Sequence, residues 1–375
     1  VFKDDLTQLK ASGRLRELTD RTSPQGRKIT IGGRELLNFG SNDYLGLAAD
    51  PALVRAAVEA LEKYGLGGGA SRLLAGGTEL AMELEARVAR LKGTEAALLL
   101  NSGYAANTGI VPAVARPGDA IFSDKLNHAS LIDGCNISRA ETRIYRHRDM
   151  EHLERLLKQT WAKHKIVVTD SVFSMDGDIA PLKEMDTLCS RYNALLYLDD
   201  AHATGVLGGG KGSLAHFSLE PEPWIVQMGT FSKALGSFGA FASADASKIQ
   251  WIVNSARSFV YSTALPACVV AASIEAINIL ENDTGRIERL WANRERLHAG
   301  IRKLGFNAGA SETPIIPIIS PGIKEAMALS DRLLDADIYA PAIRPPTVRE
   351  PRIRLTVTAA HTDEDIDHLL GALNT

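Results

Sequence analysis

Apolar residues along this chain fall into two textures, and each predicts a kind of element. Leu6, Leu9 and Leu18 recur at near-helical spacing, which predicts an amphipathic helix over the first twenty residues. The segments RKITI and RELLNF flank Gly32-Gly33 and read as a small hairpin. Asp50-Pro51 opens a helix, with Asp as N-cap and Pro in the first turn, that runs to about Tyr64 and stops at GLGGGASR. Thr78 is expected to cap the next helix, which ends near Leu91.

From residue 96 the texture becomes repetitive. AALLL (96–100), DAIFS (119–123), KIVVTD (165–170), ALLYLDD (194–200) and WIVQMG (224–229) are short continuous apolar runs separated by loops and helical patterns. Such runs belong to parallel strands covered by helices on both faces. The fold class is therefore α/β, with a mostly parallel central sheet. Past about residue 245 come helical patterns near 248–258, 266–282 and 284–303. They are followed by PIIPIIS, a helix near 324–336, the extended IYAPAIRPPTV, then RIRLTVT and a last helix from about Thr362. This mixture predicts a small α+β C-terminal domain. The expected organisation is an arm over 1–45, an α/β domain over 46–282 and the small domain over 283–375.

Composition narrows the function classes. Lys plus Arg number 42 and Asp plus Glu 45, a net charge of −3. That balance argues against a nucleic-acid protein, which needs clustered excess cations. With 45 % apolar and 23 % charged residues the chain is not disordered. No apolar stretch approaches a membrane span. The three cysteines, Cys135, Cys189 and Cys268, have no partner spacing for a disulfide framework or a metal site. The N-terminal stretch lacks the apolar region of a signal peptide, so a cytoplasmic protein is expected.

Open α/β sheets bind ligands at the carboxyl ends of their strands. Those ends carry Ser102-Gly103-Tyr104, Asn127-His128, Asp170 with Ser174 and Asp176, Asp199-Asp200 with His202, and Thr230-Phe231-Ser232-Lys233. Each alone is weak, since a lone Lys is usually a surface residue and a lone His a satisfied core residue. Together they meet the needs of pyridoxal phosphate (PLP). Its aldehyde requires a Lys amine, and its pyridine nitrogen needs a carboxylate to stay protonated. Its phosphate suits a helix N-terminus opened by Gly103.

The motifs SNDYLGL, SGYAAN, NHAS, SVFSMDGD, DDAHATGVLG and GTFSKALG resemble those of the α-oxoamine synthases, a family of fold-type-I PLP-dependent transferases. The resemblance runs from Arg16 to the last helix. It implies decarboxylative condensation of an amino acid with an acyl thioester. LNHASLIDG, YRHRDM and AIRPPTV suit the branch that joins L-alanine to a pimeloyl thioester, carried by CoA or a carrier protein.

By that resemblance Lys233 carries the Schiff base and then acts as the base for the α-proton. Asp199 pairs with the ring nitrogen, His202 with the ring hydroxyl, and His128 stacks on the ring. Ser174 lies beside the ring oxygen. Gly103 and Tyr104 offer backbone donors to the phosphate and Thr230 a hydroxyl. Ser262 and Thr263 reach it from the second subunit of a homodimer. Arg354 binds the amino-acid carboxylate, and Asn42 lies near the substrate pocket. Arg16, Arg344 and Thr347 stand at the acyl-chain end, where a distal carboxylate would give an arginine its use.

Ala81 replaces a His common in the family, Phe238 interrupts a stretch that is usually glycine-rich, and the loop between Thr347 and Arg352 is short; all three bear on acyl specificity. Condensation of glycine or serine with acetyl, succinyl or palmitoyl thioesters is the alternative within the family. A nucleotide-binding protein is the alternative outside it. GVLGGGKG (205–212) nearly matches a phosphate loop, but Gly212 stands where a hydroxyl is required. GLGGGA (65–70) follows a helix rather than a strand and lacks the dinucleotide context.

Overall fold

A computed structural model describes residues Phe2–Asn374. The chain divides into two compact units. One comprises the residues up to Ala49, Ser174–Asp178 and the residues from Glu288 on; the other comprises Asp50–Phe173 and Ile179–Ile287.

In the first unit, strands β1 (Lys28–Ile31) and β2 (Arg34–Asn38) form the expected hairpin. The preceding helix is shorter than its apolar spacing predicts. It covers Lys3–Ala11, buries no residue, and ends where Gly13 takes a φ of 65°. Leu18 is 96 % exposed, so the apolar stripe that should have extended the helix has nothing to pack on.

The second unit is built on a seven-stranded sheet. Its strands are β3 (Ala96–Leu100), β4 (Ala120–Asp124), β5 (Glu141–Tyr145), β6 (Lys165–Asp170), β7 (Ala194–Asp199), β8 (Ile225–Thr230) and β9 (Ala240–Ala244). The spatial order is β3-β9-β8-β7-β6-β4-β5. Strands β5, β4, β6, β7 and β8 run parallel, while β9 is antiparallel to both β8 and β3. The apolar runs divide by the two-residue period of a strand. Ile166, Val168 and Tyr197 join one core layer with Ile110, Leu131 and Ile252. Val167, Leu196 and Leu198 join the other with Leu153, Leu182 and Met185.

Helices Pro51–Tyr64 and Glu79–Lys92 lie where their patterns place them, and Asp50 accepts the Ala52 N–H as an N-cap should. Thr78 stands at the N-cap position in extended backbone, but its side chain makes no capping hydrogen bond. The helical pattern near 248–258 is two pieces, Ala246–Ser255 and Arg257–Val260, parted by the extended backbone of Ala256.

The first unit is completed by β10 (Ile315–Ile319), β11 (Ile338–Tyr339), β12 (Ala342–Ile343) and β13 (Arg352–Thr356). They form the sheets β1-β2-β11 and β10-β13-β12. Its last helix, Asp363–Leu373, starts in a full capping box made by Thr362 and Asp365. Among the described residues no helix is long and apolar enough to cross a membrane.

Candidate active site

In the sheet-bearing unit the polar residues gather at the carboxyl ends of the strands. Asp170 and Asp199 are the last residues of β6 and β7 and stand in register with each other. Thr230 closes β8, and Lys233 follows in the loop that turns into β9. That loop is pinned at its neck. The Thr230 hydroxyl donates to the Gly239 carbonyl at 2.7 Å, and the Phe231 N–H donates to the same oxygen at 3.0 Å. The single hydroxyl proton of Thr230 is thus engaged by Gly239, in competition with the phosphate role expected of it.

Asp199 is buried and its side chain is held by neutral donors. Asn107 Nδ2 donates to Oδ2 at 2.7 Å, and the Ala201 N–H donates to Oδ1 at 3.0 Å. Burial raises its proton affinity above the ordinary carboxyl range, while the charge of Lys233 pulls the other way. Asp200, one residue on, is equally buried but faces a cation. Lys92 Nζ lies 2.6 Å from its Oδ2, and Ser171 and Ser213 donate to Oδ1. Burial again opposes ionisation, but Lys92 and the two hydroxyls outweigh it and hold this carboxyl below the ordinary range. The glycine loop that imitated a phosphate loop serves this pair. A Cβ on Gly212, whose φ is 107°, would lie 1.9 Å from Asp200 Oδ2, and the Lys211 carbonyl accepts Lys92 Nζ at 2.7 Å.

Asn107 is the residue that the strand-end reading missed. It sits inside helix Gly103–Val114, fully buried. Its Oδ1 accepts the Tyr197 hydroxyl at 2.8 Å, and its Nδ2 also donates to Ser130 Oγ at 2.8 Å. Ser130 Oγ lies 2.7 Å from His128 Nδ1, and the Ser130 N–H donates to the same nitrogen. With Ser130 accepting from Asn107, its hydroxyl proton points to Nδ1, which places the His128 proton on Nε2. Burial, reinforced by Lys233, keeps His128 neutral by lowering its proton affinity, although Asp199 and Asp133 oppose the shift. The His128 N–H donates to Asp170 Oδ2 at 2.6 Å. Asp170 is itself pushed well above the carboxyl range by burial and by the charge of Asp199. One network therefore ties the ring-pairing candidate to the stacking candidate.

Gly103 and Tyr104 form the first turn of their helix, capped by Ser102 Oγ accepting the Ala105 N–H at 3.1 Å. A Cβ on Gly103 would meet only the Met228 methyl, at 3.9 Å, among the described residues. The N-terminus is thus open to an anion. Tyr104 is half exposed and donates its hydroxyl to Asp133. His202 is buried three residues beyond Asp199. Ser262 and Thr263 lie by the end of β3, where the Thr263 carbonyl accepts Asn101 Nδ2 at 2.9 Å.

In the other unit the arginine candidates fall into two groups. Arg354, on β13, is buried, and its acceptors are neutral. They are the Ser174 carbonyl at 2.6 Å, Thr356 Oγ1 at 2.9 Å and Asn42 Oδ1 at 3.1 Å. Ser174 and Asn42 are thus gathered around Arg354. Burial raises the nearby Tyr44 hydroxyl to about 12, with Arg354 opposing the shift. Arg352, two residues earlier on the same strand, is paired instead with Asp176 at 2.5 Å. The acyl-end candidates also meet. Arg16 Nη2 donates to Thr347 Oγ1 at 2.7 Å, and Arg344 Nη2 donates to the Leu15 carbonyl at 2.5 Å.

This donor set fits PLP. It offers a buried carboxylate held by neutral donors, an amine whose charge reaches it, a neutral imidazole and an open helix N-terminus. Residues 34–373 match the aminotransferase class I and II family. The chain is 47 % identical over 376 residues to the 8-amino-7-oxononanoate synthase of Thermoanaerobacter pseudethanolicus, covering 99 % of this chain and 95 % of that one. It is 47 % identical over 380 residues to the 8-amino-7-oxononanoate synthase of Geotalea daltonii, covering 100 % and 96 %. Among solved structures, a serine palmitoyltransferase from S. paucimobilis with a bound PLP–myriocin aldimine superposes with a TM-score of 0.94 at 31 % identity, covering 100 % of this chain and 96 % of that one.

Proposed function

The chain belongs to the class I and II aminotransferase family, and we propose that it is a PLP-dependent acyltransferase joining L-alanine to a pimeloyl thioester. The products are 8-amino-7-oxononanoate, carbon dioxide and the free thiol, which places the enzyme in biotin biosynthesis, the role its relatives' names carry. The observation that carries this reading is the buried, neutrally held Asp199, beside an Asp200 already matched to Lys92.

Bound to this unit, the cofactor supplies an electron sink for the charge that develops at the alanine α-carbon. Asp199 would hold the ring nitrogen in its protonated form, and Asn107 keeps that carboxylate oriented by a bond at 2.7 Å. His128, neutral and protonated at Nε2, would stack on the ring, and His202 would donate to its hydroxyl. Gly103 and Tyr104 would hold the phosphate, Thr230 would join them by turning its hydroxyl proton from the Gly239 carbonyl, and Ser262 and Thr263 would reach it from the second copy in a homodimer. Lys233 would hold the cofactor through its Nζ, and the same Nζ would take the alanine α-proton.

Arg354 supplies the planar fork for the alanine carboxylate, and Arg16, Arg344 and Thr347 take the distal carboxylate of the pimeloyl chain. The balance is then complete. The α C–H bond breaks and its proton goes to Lys233. A C–C bond forms to the thioester carbonyl, the C–S bond breaks, and the thiolate leaves. The former alanine carboxylate departs as carbon dioxide, the α-carbon regains a proton from Lys233, and the thiolate takes one from solvent to become the free thiol.

The test has two parts. Borohydride reduction of the loaded protein should fix the cofactor mass on the peptide bearing Lys233, and a label elsewhere would remove that assignment. Thiol release should be fastest with alanine and pimeloyl thioester. Faster release with serine and a palmitoyl thioester would move the chain to the activity of its structural neighbour.

A further inference from the structure

We infer that a groove at the amino-terminal edge of the seven-stranded sheet is a second ligand site, built for a nucleoside diphosphate. The groove has a volume of about 660 Å³ and takes in the first residues of β6 and β7, Lys165 and Ala194. Asp170 and Asp199 end those same strands, and a six-residue strand spans roughly 20 Å. The groove therefore stands at the opposite edge of the sheet from the cofactor candidates.

Its walls are apolar and aromatic: Val114, Ile166, Leu195, Trp224 and Trp251 line it. Its polar lining is dominated by cations. Lys248 is matched by Asp245, and His164 by Asp119 at 2.9 Å. Arg116, Lys163 and Lys165 have no acidic partner within ion-pair distance among the described residues. Lys165 Nζ spends its bond on the neutral Leu157 carbonyl, at 2.6 Å. That ammonium also lies over the Tyr192 ring at 5.7 Å, and neither Leu157 nor Tyr192 lines the groove, so Arg116 and Lys163 are the two cations the groove offers a ligand.

Arg116 is also organised in advance. Its guanidinium stacks on the Trp251 ring at 4.5 Å, and that indole is fixed by donating to the Ala113 carbonyl at 2.9 Å. Trp251 is 44 % exposed, so part of the platform is open to a flat ring.

These features set the ligand class. A fatty acid brings one negative charge for two cations and no ring for the Arg116–Trp251 stack. Inorganic phosphate leaves the apolar walls uncovered. A nucleoside diphosphate supplies a base that stacks and a diphosphate carrying roughly three negative charges.

The experiment titrates ADP into the PLP-loaded enzyme, followed by calorimetry and by tryptophan fluorescence, since Trp224 and Trp251 both line the groove. Saturable binding with quenching is expected. The exposed-residue double variant Arg116→Gln/Lys163→Gln should weaken it about tenfold or more while turnover stays within about twofold. Adenosine alone and pyrophosphate alone should each bind at least about tenfold more weakly than ADP. Four results would overturn the site. They are no saturable signal up to millimolar ADP, an unchanged affinity in the double variant, pyrophosphate binding as tightly as ADP, and displacement of PLP by ADP.

Discussion

The two units hold the same contrast in opposite charge. In the sheet-bearing unit two adjacent carboxylates are buried, and Asp200 has the Lys92 ammonium while Asp199 has an amide and a backbone N–H. In the other unit two arginines lie two residues apart on one strand, and Arg352 has Asp176 while Arg354 has a carbonyl, a hydroxyl and an amide oxygen. An ion whose partner is an opposite charge on another side chain is architecture. An ion held in place by neutral partners is oriented but not neutralised, and is suited to a ligand's charge. Burial makes the distinction costly, because an uncompensated interior charge is tolerated only where something else uses it.

The contrast can be broken in four places. The largest effect is expected at Asp199→Asn, where turnover should fall by about a thousandfold because the amide cannot hold the ring cation. The melting temperature of the cofactor-free variant should not fall, since the lost charge is one that burial disfavours. A melting temperature that drops would make Asp199 a structural ion like its neighbour.

Next is Asp200→Asn, which strands the Lys92 ammonium and should cost about 3–5 kcal/mol in urea unfolding. The sign with pH follows from its lowered proton affinity. The stabilisation from Asp200 is complete above the ordinary carboxyl range and is lost as pH falls through the depressed folded value. The variant should lack that part of the acid limb. Asp199, shifted upward, costs the empty protein nothing below the ordinary carboxyl range; the cost grows as pH rises through that range and is complete above the raised folded value.

Smaller is Arg354→Met, expected to raise KM for alanine by about thirtyfold, in line with loss of one charged hydrogen-bonding pair. Its unfolding free energy should change by less than about 1 kcal/mol. Smallest is Arg352→Met, expected to cost about 1–2 kcal/mol of stability with KM for alanine near the parent's. Equal KM effects from both arginines would erase the distinction in this unit.

Much of this was legible in the chain, and the failures have physical causes. Strands with continuous apolar runs were plain, because burial on both faces leaves that signature. The edge strand β5, ETRIY, has an exposed face and no such run, and β9, AFASA, is small-residue sequence that reads as loop. The residues that the structure gathers near Asp199 could be named from strand ends. Asn107 could not, because it lies within a helix; its marks are its place at the end of the SGYAAN motif and an amide in the mostly apolar stretch AANTGIV. The alternation in RIRL put Arg352 and Arg354 on one side of the strand. Which of them is matched depends on Asp176, far away in the chain, and no local pattern carries that information.

Strand β9 also sets a schedule. It is the neighbour that β3 pairs with, and it closes the loop that carries Lys233. On a ribosome β3 emerges first and must wait for the intervening chain, on the order of ten seconds of translation. Throughout that interval the strand leading into the Gly103 helix has no partner, and its Leu98-Leu99-Leu100 edge is a target for chaperones and for misassociation. The lysine and the strand that completes the sheet then arrive almost together. A nascent chain therefore gains the amine proposed to hold the cofactor only as its sheet becomes complete.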